Sequence, residues 1–94
     1  MTAGNASTLN DGASAVLVTS EEFAVEQGWE ILATIEDYCT AGVEPERVMS
    51  APIPAVKDLL ERNNLQVLDV DVYEHNEAFA SASCAVAQEV GIPE

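Results

Sequence analysis

With 94 residues, the chain has room for one small domain and a modest core. It carries 17 acidic residues against three basic ones, Arg47, Lys57 and Arg62, for a net charge of −14. That balance argues against nucleic acid and anionic membrane surfaces as partners, because both need Lys and Arg.

Residues 2–12 (TAGNASTLNDG) are rich in Gly, Asn, Ser and Thr and read as a loop ending in an Asn10-Asp11-Gly12 turn. Residues 13–19 (ASAVLVT) are nearly all apolar, the pattern of a strand buried on both faces. Ser20 then caps a short helix whose first turn holds Glu21 and Glu22, acids well placed at the positive end of the dipole, and Gly28 stops it. From Trp29, the alternation of Ile31, Ala33 and Ile35 with Leu32, Thr34 and Glu36 predicts a second strand. Residues 38–50 have no clear period, are broken by Gly42 and Pro45, and read as a loop.

Pro52 and Pro54 suit the first turn of a helix, where missing N–H groups cost little. Ile53, Val56, Leu59 and Leu60 form its apolar stripe, and Asn63-Asn64 ends it. Leu68, Val70 and Val72 alternate with Asp69, Asp71 and Tyr73 in the cleanest strand signal of the chain. A last helix is expected over residues 77–90, closed by Gly91-Ile92-Pro93. It is apolar on most sides, as helices buried within a larger body are.

The expected order is strand–helix–strand–helix–strand–helix, an α/β pattern. Aromatics make up only 5% of the chain, so the core falls to Val, Ile, Leu and Ala. The acids are dispersed and read as a solvated surface. So acidic a surface suits a cytoplasmic protein of a high-salt cell, where screening relieves self-repulsion. Cys39 and Cys84 form no C-x-x-C pair, so both are expected to be reduced and buried, with no disulfide or zinc site. No run reaches membrane-spanning length, and no secretory signal gives meaning to the Asn5-Ala6-Ser7 sequon.

Residues 74–80 (EHNEAFA) stand where the third strand passes into the last helix, a common place for binding and catalysis in α/β proteins. They include His75, the one histidine of the chain. Adjacent residues of a strand point to opposite faces, so His75, Asn76 and Glu77 need not share a site. A lone histidine without a partner reads as structural, whereas Asn76 fits either an N-cap or an amide that positions a water. The chain has no phosphate-binding glycine loop, no H-E-x-x-H and no metal-ligand cluster.

Three motifs together carry a resemblance. Thr2-Ala3-Gly4-Asn5-Ala6-Ser7 followed by Asn10-Asp11-Gly12-Ala13, then Pro52-Ile53-Pro54-Ala55, then Asn76-Glu77-Ala78-Phe79-Ala80 resemble the TAGNAS-x-x-NDGA, G-P-I-P-A and NEAFA segments of thiolases. The resemblance implies part of an αβαβα sandwich. Residues 1–28 would be the end of the thiolase N-terminal half and residues 29–94 the start of its C-terminal half. The family makes or cleaves a carbon–carbon bond between acyl-CoA units through a cysteine acyl-enzyme, usually as homo-oligomers. Coenzyme A thioesters are its substrates, and no covalently bound cofactor is implied.

By that resemblance, Asn76 would hold the water that helps form an oxyanion hole, a fixed donor facing developing negative charge. Ser7, with Ala6 and Ala3, would line the pantetheine channel, and Ala78 and Phe79 would pack along the same channel. Val48 stands where the family often carries a methionine beside pantetheine, and His75 where many members have an apolar residue. The family's nucleophilic cysteine lies upstream of TAGNAS, and its G-H-P histidine and acid–base cysteine lie downstream of NEAFA. Neither Cys39 nor Cys84 matches those motifs. The resemblance thus implies a thiolase fragment, inactive alone, or, alternatively, a non-catalytic thiolase-like subunit that completes a partner chain.

Overall fold

In a computed structural model, residues 1–93 are described. Three helices carry the architecture: α1 (Glu21–Gln27), α2 (Pro52–Arg62) and α3 (Ala80–Val90), with 3₁₀ segments at Pro45–Ser50 and Val67–Asp69.

The helix ends follow from local chemistry. The Phe23 N–H donates to Ser20 Oγ at 3.3 Å, capping α1. At its far end Gly28 adopts φ 69°, which a side chain would oppose. The Gly28 N–H donates to the Val25 carbonyl and the Trp29 N–H to the Ala24 carbonyl, the paired bonds of a Schellman end. Phe23 and Trp29 then meet edge to face with centroids 5.6 Å apart. The same device ends α2 without glycine: Asn64 takes φ 53°, and the Leu65 N–H reaches the Leu60 carbonyl at 2.8 Å.

The core sits where α2, α3 and the 3₁₀ segment Pro45–Ser50 pack together. Ala82, Val86 and Val90 are buried, each four residues from the next and therefore on one stripe of α3. The helix expected to be apolar on most sides buries only that stripe, leaving Cys84 and Ala85 exposed. Residues 37–39 dock on α2. The Cys39 thiol donates to the Ala55 carbonyl at 3.2 Å, and Arg62 pairs with Asp37 at 3.0 Å and with Asp58 at 3.3 Å.

Several expectations differ from the structure. Among the described residues there is no strand, only an isolated antiparallel bridge between Ala6 and Phe79. Residues 13–19 and 29–35 make no ladder, and Val16, Leu32 and Ile35 are exposed. Only residues 20–28 join these two segments, short of the dozen or more that a parallel crossover takes. The third expected strand begins as a 3₁₀ turn. There the Asp69 carboxylate accepts from the Gln66 N–H at 2.7 Å and the Tyr73 hydroxyl donates to the Val67 carbonyl at 2.8 Å, local bonds that compete with a sheet ladder.

Second, α3 begins at Ala80, not Glu77, because Phe79 is held extended in the bridge at φ −142°, ψ 138°. Asn76 is therefore not its N-cap. Third, Asn10-Asp11-Gly12 forms no turn, and the Asn10 amide donates to the Thr8 hydroxyl. Residues 45–50, expected as loop, are wound as 3₁₀ helix. Of the two cysteines, both free, Cys39 is half-buried and Cys84 exposed.

The chain is open. Its accessible surface is 8179 Å², some 2,900 Å² above the roughly 5,200 Å² of a compact protein of its mass. Its radius of gyration is 16.6 Å, against about 12 Å for a compact chain of its length.

Candidate functional site

The site is a meeting of the two ends of the chain. Near the start, the Asn5 side-chain oxygen accepts from the Thr2 N–H at 2.7 Å while the Asn5 N–H donates to the Thr2 carbonyl at 3.1 Å. That closes a tight turn and sends residues 5–7 out across residues 78–80. The Ser7 N–H donates to the Ala78 carbonyl and the Ala80 N–H to the Asn5 carbonyl, both at 3.0 Å, on either side of the Ala6–Phe79 pair. Both bonds are main-chain to main-chain, and they hold the TAGNAS and NEAFA segments in register.

The corner beyond it is folded just as locally. The Ala78 N–H donates back to the Asn76 carbonyl at 3.0 Å, a three-residue turn. Asn76 itself is exposed, and among the described residues no protein group bonds its side-chain amide. An amide offers two donors and an acceptor, so Asn76 can hold a water or a ligand oxygen. His75 next to it is half-buried, and its Nδ1 shares a 2.8 Å hydrogen bond with Ser83 Oγ on α3.

A cleft of about 300 Å³ opens here, lined by Val48, Met49, Pro52, His75, Asn76 and Ala78 together with Ala82. A second of about 530 Å³ lies alongside, sharing Met49 and Ala82 and lined also by Phe79, Ile53 and Arg47. Thus Val48, Asn76 and Ala78 share one cleft and Phe79 faces the next. Ala6 and Ser7 reach the site through backbone pairing and line neither cleft. Ala3 sits exposed in the preceding turn.

Two participants were not anticipated: Met49, which lines both clefts, and Ser83, which holds His75. Met49 lay in a stretch without period. Ser83 lies eight residues from His75 across a helix start, outside the reach of any strand or helix spacing.

The charged groups with perturbed acidity lie elsewhere. The Asp37 carboxyl is held below its ordinary range by the hydrogen bond from Asn63, then by the Tyr38 N–H and by Arg62. The Arg62 guanidinium is raised by its bond to Asp58 and by the nearby Asp37 charge. These groups tie residues 37–38 to the end of α2 and line neither cleft. Neither Cys39 nor Cys84 lines either cleft. Among the described residues, no group of three His, Cys, Asp or Glu side chains could hold a metal ion. No helix there is long and apolar enough to cross a membrane.

Comparison with known proteins gives the class, a family of α/β fold. Residues 29–94 match the family described as Thiolase, C-terminal domain. The chain is 47% identical over its full length to the 3-oxoadipyl-CoA/3-oxo-5,6-dehydrosuberyl-CoA thiolase of Escherichia coli (strain K12), covering 23% of that protein. It is 50% identical over 91 residues, 97% of the chain, to an acetyl-CoA acetyltransferase of Paracoccus denitrificans, again covering 23% of the relative. With beta-ketothiolase BktB of Cupriavidus necator the identity is 48% over 92 residues, 98% of the chain and 23% of the relative. The chain belongs to the thiolase family, and it spans about a quarter of the length of these relatives.

Proposed function

We propose that the chain supplies one wall of the acyl-transfer site of an acetyl-CoA C-acetyltransferase, the thiolase that reversibly condenses acyl-CoA units. The observation that carries this reading is the bridge between residues 5–7 and 78–80, which brings two family motifs together beside the cleft containing Asn76. Asn76 holds a water whose proton faces the thioester oxygen as it gains negative charge. Ala78, Phe79 and Val48 offer apolar surface to the pantetheine arm, and Ser7, Ala6 and Ala3 form the strand edge beside it. Residues 1–28 belong to the N-terminal half of the fold and residues 29–94 to the C-terminal half. Coenzyme A thioester is the substrate, and no covalently bound cofactor takes part.

The chain alone is inactive in this reading. Condensation needs a nucleophile and a base within a few ångströms of the oxyanion donor. Here both cysteines lie outside the clefts and the G-H-P histidine is not among the 94 residues. An acetyl-CoA acyl-exchange assay tests this directly: the chain by itself gives no turnover, and turnover would overturn the claim. When the chain is combined with flanking thiolase segments that carry the cysteines and the histidine, exchange appears. In that complex, Asn76→Ala lowers kcat by about 10²–10³-fold, the usual loss for one oxyanion donor.

A second reading, favoured by the surface excess of some 2,900 Å² over a compact chain, is a non-catalytic thiolase-like subunit that completes a partner. Analytical ultracentrifugation with those same segments separates the two. A stable hetero-complex without exchange activity supports the subunit reading, and an active complex supports the first.

A further inference from the structure

We propose that His75 and Ser83 form a clamp that positions Asn76, a role that falls to a histidine where, by the thiolase resemblance, many members carry an apolar residue. The Asn76 amide is exposed and unbonded among the described residues, so nothing on its own side chain fixes its direction. Its backbone is held from both sides instead. On the C-terminal side the Ala78 N–H donates to the Asn76 carbonyl, and Ala78 is tied in turn through its own carbonyl to the Ser7 N–H. On the N-terminal side the restraint is the 2.8 Å hydrogen bond between His75 Nδ1 and Ser83 Oγ, both residues half-buried.

Ser83 belongs to the first turns of α3, whose Ala82 and Val86 are buried, so the anchor is rigid. Either the serine hydroxyl donates to a bare Nδ1 or a protonated Nδ1 donates to the hydroxyl, and the restraint is the same. His75 itself lines the cleft beside Asn76. An apolar side chain here could fill the same space but could not bond Ser83. Breaking the clamp therefore frees the residue that precedes the amide without opening the core. A catalytic amide held loosely loses much of its value, because orientation within a fraction of an ångström decides the contribution.

The inference rests on the thiolase reading only for the ligand that Asn76 meets, and the test separates the two. In the full chain, ¹⁵N relaxation of the Asn76 backbone and side-chain amides is recorded for the unmodified protein and for His75→Ala, Ser83→Ala, His75→Asn and His75→Gln, with far-UV circular dichroism confirming equal helix content. His75→Ala and Ser83→Ala are expected to raise the mobility of both Asn76 amides. His75→Asn, whose amide nitrogen stands where Nδ1 does, restores the rigid values, whereas His75→Gln, which reaches instead to the far ring position, does not. Unchanged Asn76 relaxation in both alanine variants overturns the clamp, as does equal rescue by the asparagine and glutamine variants.

Acetyl-CoA is then titrated as the probe into the unmodified protein and each variant, combined with the flanking thiolase segments. A side-chain shift at Asn76 that falls at least about threefold in the alanine variants supports a positioning role. An Asn76 that ignores acetyl-CoA in the unmodified chain combined with the flanking thiolase segments counts against the thiolase reading, while the ligand-free relaxation of the chain still decides the clamp.

Discussion

The pairing of residues 5–7 with residues 78–80 can be removed at one atom. Ser7→Pro deletes the N–H that donates to the Ala78 carbonyl at 3.0 Å, and proline has no other donor to offer. The extended conformation that proline favours in the residue before it suits Ala6, which pairs with Phe79, but the ring Cδ takes the place of the N–H against the Ala78 carbonyl and pushes the two segments apart, so the lost bond sets the lower bound of the cost. A backbone hydrogen bond is worth about 0.5–1.5 kcal/mol net, and a carbonyl left without a partner adds a penalty that is modest where it stays half-open to water. Ala78 is half-buried, so the docked segment loses at least about 1–2 kcal/mol, a factor of roughly 5–30 or more in its population. Hydrogen exchange of the Ala80 N–H, which donates to the Asn5 carbonyl in the same bridge, reads this without any ligand. Its exchange should accelerate by about that factor in Ser7→Pro and stay unchanged in Ser7→Ala, which keeps the backbone donor. Ala80 exchange within twofold of the unmodified chain in Ser7→Pro would refute the bridge as the element that holds the two motifs together.

Gly91 ends α3 at φ 86° with open space where a side chain would stand, so Gly91→Ala meets only backbone strain. It should destabilise the helix by about 1 kcal/mol, read as a lower thermal midpoint by circular dichroism, with Gly91→Asn recovering part of the loss. Val86→Ala removes buried volume from the α3 stripe, where Val86 is 4% exposed, and should cost about 2 kcal/mol in urea unfolding. Asp37 has its carboxyl lowered from 3.8, first by the Asn63 hydrogen bond. Its contribution is therefore present above that value and fades as pH falls through the lowered one. Residues 37–39 should detach from α2 only as pH falls below 3.8, followed by the Tyr38 backbone amide in NMR, and Asn63→Ala should move the detachment to higher pH. Exposed Cys84 should react with a thiol reagent about tenfold faster than half-buried Cys39, whose thiol donates to Ala55; equal rates would contradict the docking of residues 37–39.

What could be read from the sequence divides along the reach of the bonds involved. Ser20, Gly28, Asn64 and Gly91 mark helix ends through hydrogen bonds that close within a turn or two, so residue type and position suffice to place them. The alternation in residues 29–35 and 68–73 is a statement about faces, and a face becomes a strand only when another segment supplies its ladder. Around residues 67–69 a local competitor, the Asp69 carboxylate on the Gln66 N–H, takes the backbone first.

The site shows the same division. Asn76, Ala78, Phe79 and the residues of TAGNAS are visible as motifs, but their meeting is not, because Ala6 and Phe79 stand at opposite ends of the chain and pair through backbone atoms that every residue shares. Met49 enters both clefts because a 3₁₀ segment winds where no period announced one. His75 shows why this matters for function. Read alone it is a histidine without a partner; the start of α3 at Ala80, fixed by the bridge at Phe79, is what brings Ser83 to its ring. The bridge therefore acts twice on the corner, once by holding Ala78 and once by setting the helix phase that supplies the serine. Asn76 lies between those two restraints, and its direction depends on a contact made by the first residues of the chain.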